Sequence, residues 1–396
     1  MICKLSKKKI KPFMSFGKMP IANGFIAENN FKDEYFYNME VGFSEDISLF
    51  QLNDHPKPEV MFNDSYPFFS GSSEYMKNHF KKYADFLKEN FLKSNSKIIE
   101  IGSNDGTMLK NFLNSNNYVI GFEPSKNVAL KAMNENIPTL NEFFNLENAK
   151  KLKEYLGNTD IIYASNVICH IPNLDNLIKT IDLLLSKNGT FIFEEPYLGS
   201  MFKKTSYDQI YDEHIFVFSI SAITKIFKLY DFQLVDVQPQ ITHGGSMRYV
   251  IKRKNKGNPS VNLKKYLEKE KINKIDSVES SLIFKKNCEI SKFKISEKLK
   301  KLKSENKKIC GYAATSKSTT ILNYCDINSE IIDFICDTTT EKIGKFSPGK
   351  HIPIVNMSHF YKNQPDSIYL FAWNHKEEIF IKENKFKGEW FSHVAL

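Results

Sequence analysis

The sequence predicts an α/β protein with parallel sheets, and three observations support this fold class. Residues 97–124 read as a short β-branched strand, a turn with two glycines, a helix from Thr107 and a second strand. Residues 308–320 again read as a strand, a turn of small residues and a helix. A length of 396 residues is enough for two or three domains. We therefore expect a central Rossmann-like domain, a second one towards the C-terminus and a small unit before both.

The composition is typical of a packed protein that acts on small molecules. Hydrophobic residues make up 41% of the chain, which is enough for packed cores. The net charge is +9, but the lysines are spread widely, so we expect no nucleic-acid partner. The six cysteines form no CxxC pair, which favours a reducing cytoplasm. We find neither a signal-peptide core nor an apolar run as long as a membrane span, and expect no membrane partner.

Residues 1–75 are expected to form the small N-terminal unit. Residues 17–25 are rich in turn formers, and short strands are expected near residues 37–43 and 47–52. An aromatic segment at residues 66–75 then precedes a helix predicted from about Ser73 to Leu92. Core packing alone accounts for such an aromatic segment, so its composition leaves its role open.

The turn after the first central strand indicates which nucleoside is bound. Residues 100–106 read E-I-G-S-N-D-G, with an acidic residue on the strand and only two glycines, Gly102 and Gly106. A pyrophosphate-binding turn has three glycines, which bring backbone amides onto the phosphates. Glu123 ends the second strand, about 20 residues beyond the turn, where doubly wound folds place a carboxylate on ribose hydroxyls. The turn resembles the first motif of the S-adenosylmethionine (SAM) methyltransferases.

The later strands of the central domain place further polar residues at the same edge. Residues 138–144, 160–166 and 190–194 read as the third, fourth and fifth strands. Open α/β sheets bind ligands outside the carboxyl ends of their strands. We therefore expect Asn166 and His170, which end and follow the fourth strand, to lie at the rim of the ligand crevice.

Over nearly its full length the chain resembles the sugar-nucleotide C-methyltransferases, SAM-dependent enzymes that add a branch methyl group to C3 of 4-keto deoxysugars. The resemblance implies a zinc-binding-like module at residues 1–75, a methyltransferase domain with a long helical extension (about Val261 to Glu305) at residues 76–305, and a Rossmann-like domain at residues 306–396. The motifs that carry it are G-K-M-P-I-A-N-G-F at 17–25, Y-P-F-F-S-G at 66–71, Y-D-E-H at 211–214, H-G-G-S-M-R at 243–248, G-K-F-S-P-G-K-H-I-P-I at 344–354 and A-W-N at 372–374.

The same resemblance implies which residues bind and react. SAM is the expected cofactor, held by Gly102, Asn104, Asp105, Gly106, Glu123 and Asn166. A nucleotide-linked sugar is the expected substrate, with His243 and Lys317 among its contacts; Lys317 follows a turn suited to an anion at a helix N-terminus. Tyr211, Glu213 and His214 stand in the positions of the catalytic residues. His214 is expected to act as the base and Glu213 to orient it or to contact the sugar. Tyr211, His170 and Tyr66 are candidates to hydrogen-bond the ketone or enolate oxygen.

The N-terminal module departs from the family pattern. The family has two CxxC pairs there, enough for a tetrahedral zinc site. In this chain Cys3 remains, whereas Ser6, Ser44 and Ile47 occupy the other positions. We therefore predict that the module folds without a metal.

Several alternatives stay open on the sequence. The chain could be an O- or N-methyltransferase acting on a sugar nucleotide or glycan precursor, or a scaffold protein without catalytic activity. A nucleotide-sugar oxidoreductase is weakest, because no G-x-G-x-x-G follows Ile309. The nucleotide, the sugar and the choice between a monomer and a small homo-oligomer are not determined by the sequence.

Overall fold

The computed structural model describes residues 1–64, 66–113 and 116–396, and its strands and helices follow one another along the chain. The strands are β1 (Pro12–Pro20), β2 (Phe36–Ser44), β3 (Leu49–Leu52), β4 (Lys97–Ile101), β5 (Tyr118–Phe122), β6 (Thr139–Leu140), β7 (Thr159–Ser165), β8 (Leu185–Pro196), β9 (Phe216–Val217), β10 (Phe232–Gln240), β11 (Ser246–Arg253), β12 (Ile309–Tyr312), β13 (Phe334–Cys336), β14 (Ile354–Val355), β15 (Ser367–Leu370) and β16 (Glu389–Phe391). The α-helices are α1 (Pro58–Met61), α2 (Glu74–Phe91), α3 (Lys126–Asn134), α4 (Leu146–Leu156), α5 (Leu174–Leu184), α6 (Leu198–Lys204), α7 (Ile220–Lys228), α8 (Val261–Ile272), α9 (Val278–Ser304), α10 (Ser316–Tyr324), α11 (Met357–Lys362) and α12 (Lys376–Lys382).

The central sheet confirms the predicted α/β class. Its order is β10-β11-β8-β7-β4-β5-β6, with parallel pairing from β8 to β6 and antiparallel pairing of β11 with both β8 and β10. The parallel strands are β-branched and buried on both faces, as Ile98, Ile99 and Ile162 show. The carboxyl ends of β4, β5, β7 and β8 therefore share one edge of the sheet.

The predicted helix after the glycine turn is wrong in type and start. The structure has a short 3₁₀ helix, Leu109–Phe112, instead of an α-helix from Thr107. The Asn111 side-chain amide donates to the carbonyls of Thr107 and Met108 at 3.1 and 2.9 Å. Side-chain bonds of this kind compete with the backbone bonds of an α-helix.

The helical region that the sequence predicts from about Val261 to Glu305 is present. It forms two helices, α8 and α9, separated by residues 273–277. The Ser277 hydroxyl accepts a hydrogen bond from the Ser280 amide at 3.3 Å and so caps the start of α9.

The C-terminal domain is a second parallel sheet in the order β14-β13-β12-β15-β16, as the sequence predicts for a Rossmann-like unit. Its core is continuous with that of the N-terminal module and the buried face of α9. Phe16 and Tyr324, for example, pack with ring centroids 4.9 Å apart.

The N-terminal module is an antiparallel sheet whose last strand comes from the middle of the chain. The order is β1-β2-β3-β9, and β9 pairs with β3 through Phe50 with Val217 and Gln51 with Phe216. Residues 216–217 lie within the range 76–305 that is predicted for the methyltransferase domain. This pairing attaches the segment that follows Tyr211–His214 directly to the N-terminal module.

All six cysteines lie in the described part of the chain, and each is a buried free thiol. Among the described residues, no helix is both long enough and apolar enough to cross a membrane.

Candidate active site

His214 lies in the loop between α6 and β9 and is held by both of its ring nitrogens. Nδ1 is 2.7 Å from the Gln209 carbonyl oxygen, which can only accept, so Nδ1 carries the proton of the neutral ring. Nε2 is 2.8 Å from the Tyr211 hydroxyl and accepts from it. Burial, followed by the charges of His170 and Lys317, holds the pKa of His214 well below its ordinary value. The imidazole ring is therefore neutral, and its Nδ1 is held by the Gln209 carbonyl and not by the Glu213 carboxylate.

His170 stacks on His214 from the other side of the cleft. Their ring centroids are 5.4 Å apart, and Phe62 stacks on the opposite face of His170 at 5.6 Å. Burial lowers the pKa of His170 to about 3, and its Nε2 has no hydrogen-bond partner among the described residues. A buried polar atom without a partner next to the base is suited to contact a ligand.

Glu195 supports the 3₁₀ turn that carries His170. Its Oε1 accepts the backbone amides of Val167, Ile168 and Cys169 at 2.9, 2.6 and 3.2 Å. Burial raises the pKa of Glu195 to about 7, although these amides act in the opposite direction. Glu195 thus fixes the backbone beside the cofactor edge of β7.

The Glu213 carboxylate binds two side chains from outside its own loop. Oε1 accepts from Asn23 Nδ2 at 2.6 Å, and Oε2 accepts from the Tyr66 hydroxyl at 3.0 Å. Burial raises the pKa of Glu213. The structure therefore brings Tyr66 and His170, which are distant in sequence, together with Tyr211, Glu213 and His214.

The two glycines of the cofactor turn are required by its backbone. Gly102 and Gly106 have φ of 65° and 72°, in the left-handed region. A Cβ on Gly102 would lie 2.5 Å from a methyl group of Val167, and one on Gly106 would lie 2.5 Å from Ile137. Only glycine fits either position without a shift of its neighbours.

Asn104 and Asp105 use their side chains to hold the aromatic segment 66–71 over this turn. Asn104 Oδ1 accepts the Ser70 amide at 2.8 Å, and its Nδ2 donates to the Phe68 carbonyl at 3.2 Å. Asp105 Oδ2 accepts the Gly71 amide at 3.0 Å. The segment Y-P-F-F-S-G thus packs against the cofactor turn, and it also contains Tyr66.

Glu123 and its neighbours fit the adenosine part of SAM. Burial raises the pKa of Glu123, whose two oxygens accept the amides of Asn104 and Ser125 at 3.0 and 2.8 Å. Carboxylate oxygens have further lone pairs for ribose hydroxyls. Asn166 Oδ1 and Ser103 Oγ are buried at the same edge without partners among the described residues. An open cavity of about 590 Å³ adjoins this edge, lined by Glu59, Phe62, Asn63, Asp64, Pro124 and Phe143.

Two further predicted site residues come from other parts of the chain: Lys317 from the C-terminal domain and His243 from the turn before β11. Lys317 is 8% exposed near the start of α10, and burial lowers its pKa. Its charge contributes to low pKa values at His214, His243 and His375, the last at about 4. His243 Nε2 has no partner in the described part of the chain. Lys317 and His243 therefore lie near enough to His214 for their charges to lower its pKa.

Cys169, His170 and His214 each have a potential metal-binding atom, and these three atoms lie within 4.8 Å of one another. The hydrogen bonds of His214 and the protonation state of Cys169 nevertheless disfavour a metal ion. The Nε2 lone pair of His214 accepts from Tyr211, and Nδ1 carries a proton. Burial raises the pKa of the Cys169 thiol well above its usual range, which keeps it protonated. Thiolate is the form that binds metals.

Hydrogen bonds and apolar packing hold the two turns at which the family resemblance places zinc ligands. Lys7 and Ser48, each one residue past a ligand position, have φ of 60° and 54°. Cys3 Sγ accepts the Ser6 amide at 3.4 Å, and the Ser44 hydroxyl donates to Asp46 at 2.5 Å. Ile47 is buried in the core. Hydrogen bonds and apolar packing thus occupy the positions of metal–thiolate bonds.

Sequence reasoning missed several residues of this site. Asn23 lay within a motif that was identified, but nothing indicated that its side chain reaches Glu213. Gln209 contacts His214 through its backbone carbonyl. Every residue has a backbone carbonyl, so the residue type at position 209 could not predict this contact. Asp208 accepts from Trp373 Nε1 at 2.7 Å across the domain junction; the A-W-N motif marked only one member of this pair.

Comparison with known proteins agrees with this architecture. Three family models match in sequence order: "Putative zinc binding domain" at residues 3–62, "Methyltransferase domain" at residues 75–237 and "C-methyltransferase C-terminal domain" at residues 241–394. C-methyltransferase NovU from Streptomyces niveus is 27% identical over 378 residues, which is 94% of this chain and 89% of NovU.

Two solved structures are similar to part of the chain. The PH0226 protein from Pyrococcus horikoshii is 16% identical, with a TM-score of 0.39, and the match covers 47% of this chain and 95% of that one. Magnesium protoporphyrin IX methyltransferase from Synechocystis, solved with bound SAM, is 13% identical, with a TM-score of 0.34, covering 45% and 79%. On the three ordered domain matches and the relative that spans them, this chain is a SAM-dependent methyltransferase that is similar along most of its length to a C-methyltransferase.

Proposed function

We propose that the protein methylates C3 of a nucleotide-linked 4-keto deoxysugar, with His214 as the base that removes the C3 proton. The observation that carries this proposal is the state of His214: a buried neutral ring whose Nδ1 proton is held by Gln209 and whose Nε2 lone pair faces Tyr211. A neutral imidazole is the form that accepts a proton, and its Nε2 lone pair becomes free for the substrate proton when the Tyr211 hydroxyl turns to donate to the substrate oxygen.

The residues around His214 support each stage of proton removal. The C3–H bond breaks, the proton goes to His214 Nε2, and the electron pair forms an enolate whose oxygen needs a donor. The Tyr211 hydroxyl, 2.8 Å from Nε2, is positioned to donate, and His170 has an unpartnered Nε2 beside it. SAM, when bound, supplies the methyl group that C3 takes. The burial of Tyr66, Tyr211 and His214 limits the access of water to the enolate.

The charge of the cleft supports an anionic substrate. Lys317 is buried together with His243 and near His375, and the counter-charge that acts on it is Asp208. A cation held in a buried site favours binding of a negatively charged group, such as the diphosphate of a sugar nucleotide. A diphosphate at Lys317 would leave the sugar to extend towards Tyr211 and His214.

Exchange of the substrate proton tests this proposal without methyl transfer. Protein in D₂O with S-adenosylhomocysteine and a panel of nucleoside-diphosphate 4-keto deoxysugars should replace C3–H by deuterium, as followed by proton NMR. His214→Gln should abolish the exchange and leave S-adenosylhomocysteine affinity unchanged. His359→Gln, in an exposed side chain of the C-terminal domain, is the matched control. Wild-type exchange rates in His214→Gln would remove His214 from the mechanism, and methylation of oxygen or nitrogen without exchange would favour the O- or N-methyltransferase.

A further inference from the structure

We propose that Asn23 of the N-terminal module is a positioning residue for the catalytic loop, acting through the Glu213 carboxylate. This inference rests on the proposed function insofar as Tyr211, Glu213 and His214 form the catalytic loop. Under this proposal the N-terminal module, which lacks most of the metal ligands of the family pattern, contributes directly to the active site.

The backbone of the N-terminal module anchors one end of the catalytic loop. Directly after His214, the Ile215 carbonyl accepts the Leu52 amide at 2.8 Å, and β9 then pairs with β3. This pairing fixes where the loop ends but not where its side chains point.

Residues 22 and 23 hold the loop itself. The Ala22 amide donates to Asp212 Oδ1 at 2.9 Å, and Asn23 Nδ2 donates to Glu213 Oε1 at 2.6 Å. The Ala22 carbonyl accepts from the Thr319 hydroxyl of α10 at 2.8 Å. One short segment therefore ties the catalytic loop to the C-terminal domain, on the same helix as Lys317.

Asn23 acts on a carboxylate in an environment that opposes its charge. Burial is the largest cause of the raised pKa of Glu213, whereas the hydrogen bonds from Asn23 and Tyr66 and the charge of Lys342 favour the ionised form. The charge of Glu213 in turn helps to raise the pKa values of Asp212, Tyr66, Tyr211 and Cys169. Loss of the Asn23 donor would leave a buried carboxylate under-satisfied, which is costly.

The effect of removing the Asn23 donor should depend on pH, because Glu213 gains a charge as pH rises. At low pH Glu213 is protonated with or without Asn23, so the contact contributes little. As pH rises and Glu213 ionises, the variant without the donor becomes increasingly less stable than the wild type. A purely structural contact between uncharged groups would produce an effect that does not change with pH.

The test compares Asn23→Ala with Asn38→Ala, an exposed asparagine on β2 in the same module. We expect the difference in melting temperature between wild type and Asn23→Ala to grow as pH rises and that for Asn38→Ala to stay constant. The acid limb of kcat/KM for Asn23→Ala should move to higher pH, with about tenfold lower activity on that limb, which is the size of effect of one hydrogen bond to a charged group. Asn23→Asp, whose carboxyl group donates only while protonated, should lose activity as pH rises.

The outcomes separate this inference from the proposed function. A melting-temperature difference for Asn23→Ala that is the same at every pH would overturn the role of Asn23 whatever reaction the protein performs. A pH-dependent difference in a protein that exchanges no C3 proton would support the contact and reject the proposed function. If Asn23→Ala fails to fold, the same comparison is made in Asn23→Asp, where unchanged pH dependence relative to wild type would overturn the inference.

Discussion

The Tyr211 hydroxyl lies 2.8 Å from His214 Nε2, while the Gln209 carbonyl holds the opposite ring nitrogen at 2.7 Å. The two contacts assign a tautomer, because Gln209 can only accept and Tyr211 can donate. They also place a hydroxyl donor beside the atom that would take a proton from substrate. The proposed base and the proposed oxyanion donor are thus three residues apart in one loop.

Removal of the Tyr211 hydroxyl should slow the reaction without weakening binding. In Tyr211→Phe the ring packing on His214 remains and only the donor is lost. We expect kcat to fall about 10²-fold or more, the usual effect of removing one oxyanion donor, with KM nearly unchanged. Steady-state kinetics check this. A rise in KM at constant kcat would show instead that Tyr211 binds the ground state.

The cofactor turn should not tolerate a side chain at Gly102. Gly102→Ala adds a Cβ at 2.5 Å from Val167 on a backbone with φ of 65°, and we expect loss of S-adenosylhomocysteine binding in calorimetry. Gly17→Ala is the matched control, because Gly17 has φ of 80° but nothing within 4 Å of a Cβ. Both variants should lose about 1–2 kcal/mol from the left-handed backbone. Equal affinities in the two would contradict the proposed cofactor site.

Much of the fold follows from sequence pattern, but the site depends on tertiary contacts. The strand–turn–helix patterns near Gly102 and Lys317 predicted both parallel sheets, because β-branched runs and glycine turns are local signals. Strand β9 has only two residues, which is too short for a recognisable strand pattern. The sequence therefore did not show its pairing with β3, or that the N-terminal module holds the catalytic loop. The same limit hid the contact from Asn23 to Glu213, which are 190 residues apart.

The buried Glu195 carboxyl should make stability depend on pH. Its pKa in the folded protein is raised to about 7 from 4.5, so between these values the folded state keeps a proton that the unfolded state has lost. Stability due to this group is therefore present below about pH 4.5 and falls as pH rises towards 7. The total is at most about 3 kcal/mol.

Glu195→Gln isolates this effect, because the amide keeps an acceptor for the three backbone amides and cannot ionise. The free energy of unfolding, measured by urea denaturation from pH 5 to 8, should decline less with pH in Glu195→Gln than in wild type. Parallel curves for the two proteins would show that Glu195 does not titrate in this range.

Chelation should leave the N-terminal module intact. Ser6, Ser44 and Ile47 occupy ligand positions, and hydrogen bonds to Asp46 and packing of Ile47 take the place of the metal. We expect no change in melting temperature with a zinc chelator and no zinc in elemental analysis. One zinc per chain, lost together with stability on chelation, would contradict this prediction.

The most direct test of carbon methylation is the position of the transferred methyl group. Wild-type protein is given SAM labelled with ¹³C in its methyl group and a nucleoside-diphosphate 4-keto deoxysugar, and the product is analysed by carbon–proton correlation NMR. We expect the labelled methyl to be bonded to C3 of the sugar, and its formation to be lost in His214→Gln. A labelled methyl bonded to oxygen or nitrogen, formed equally well by His214→Gln, would contradict the account.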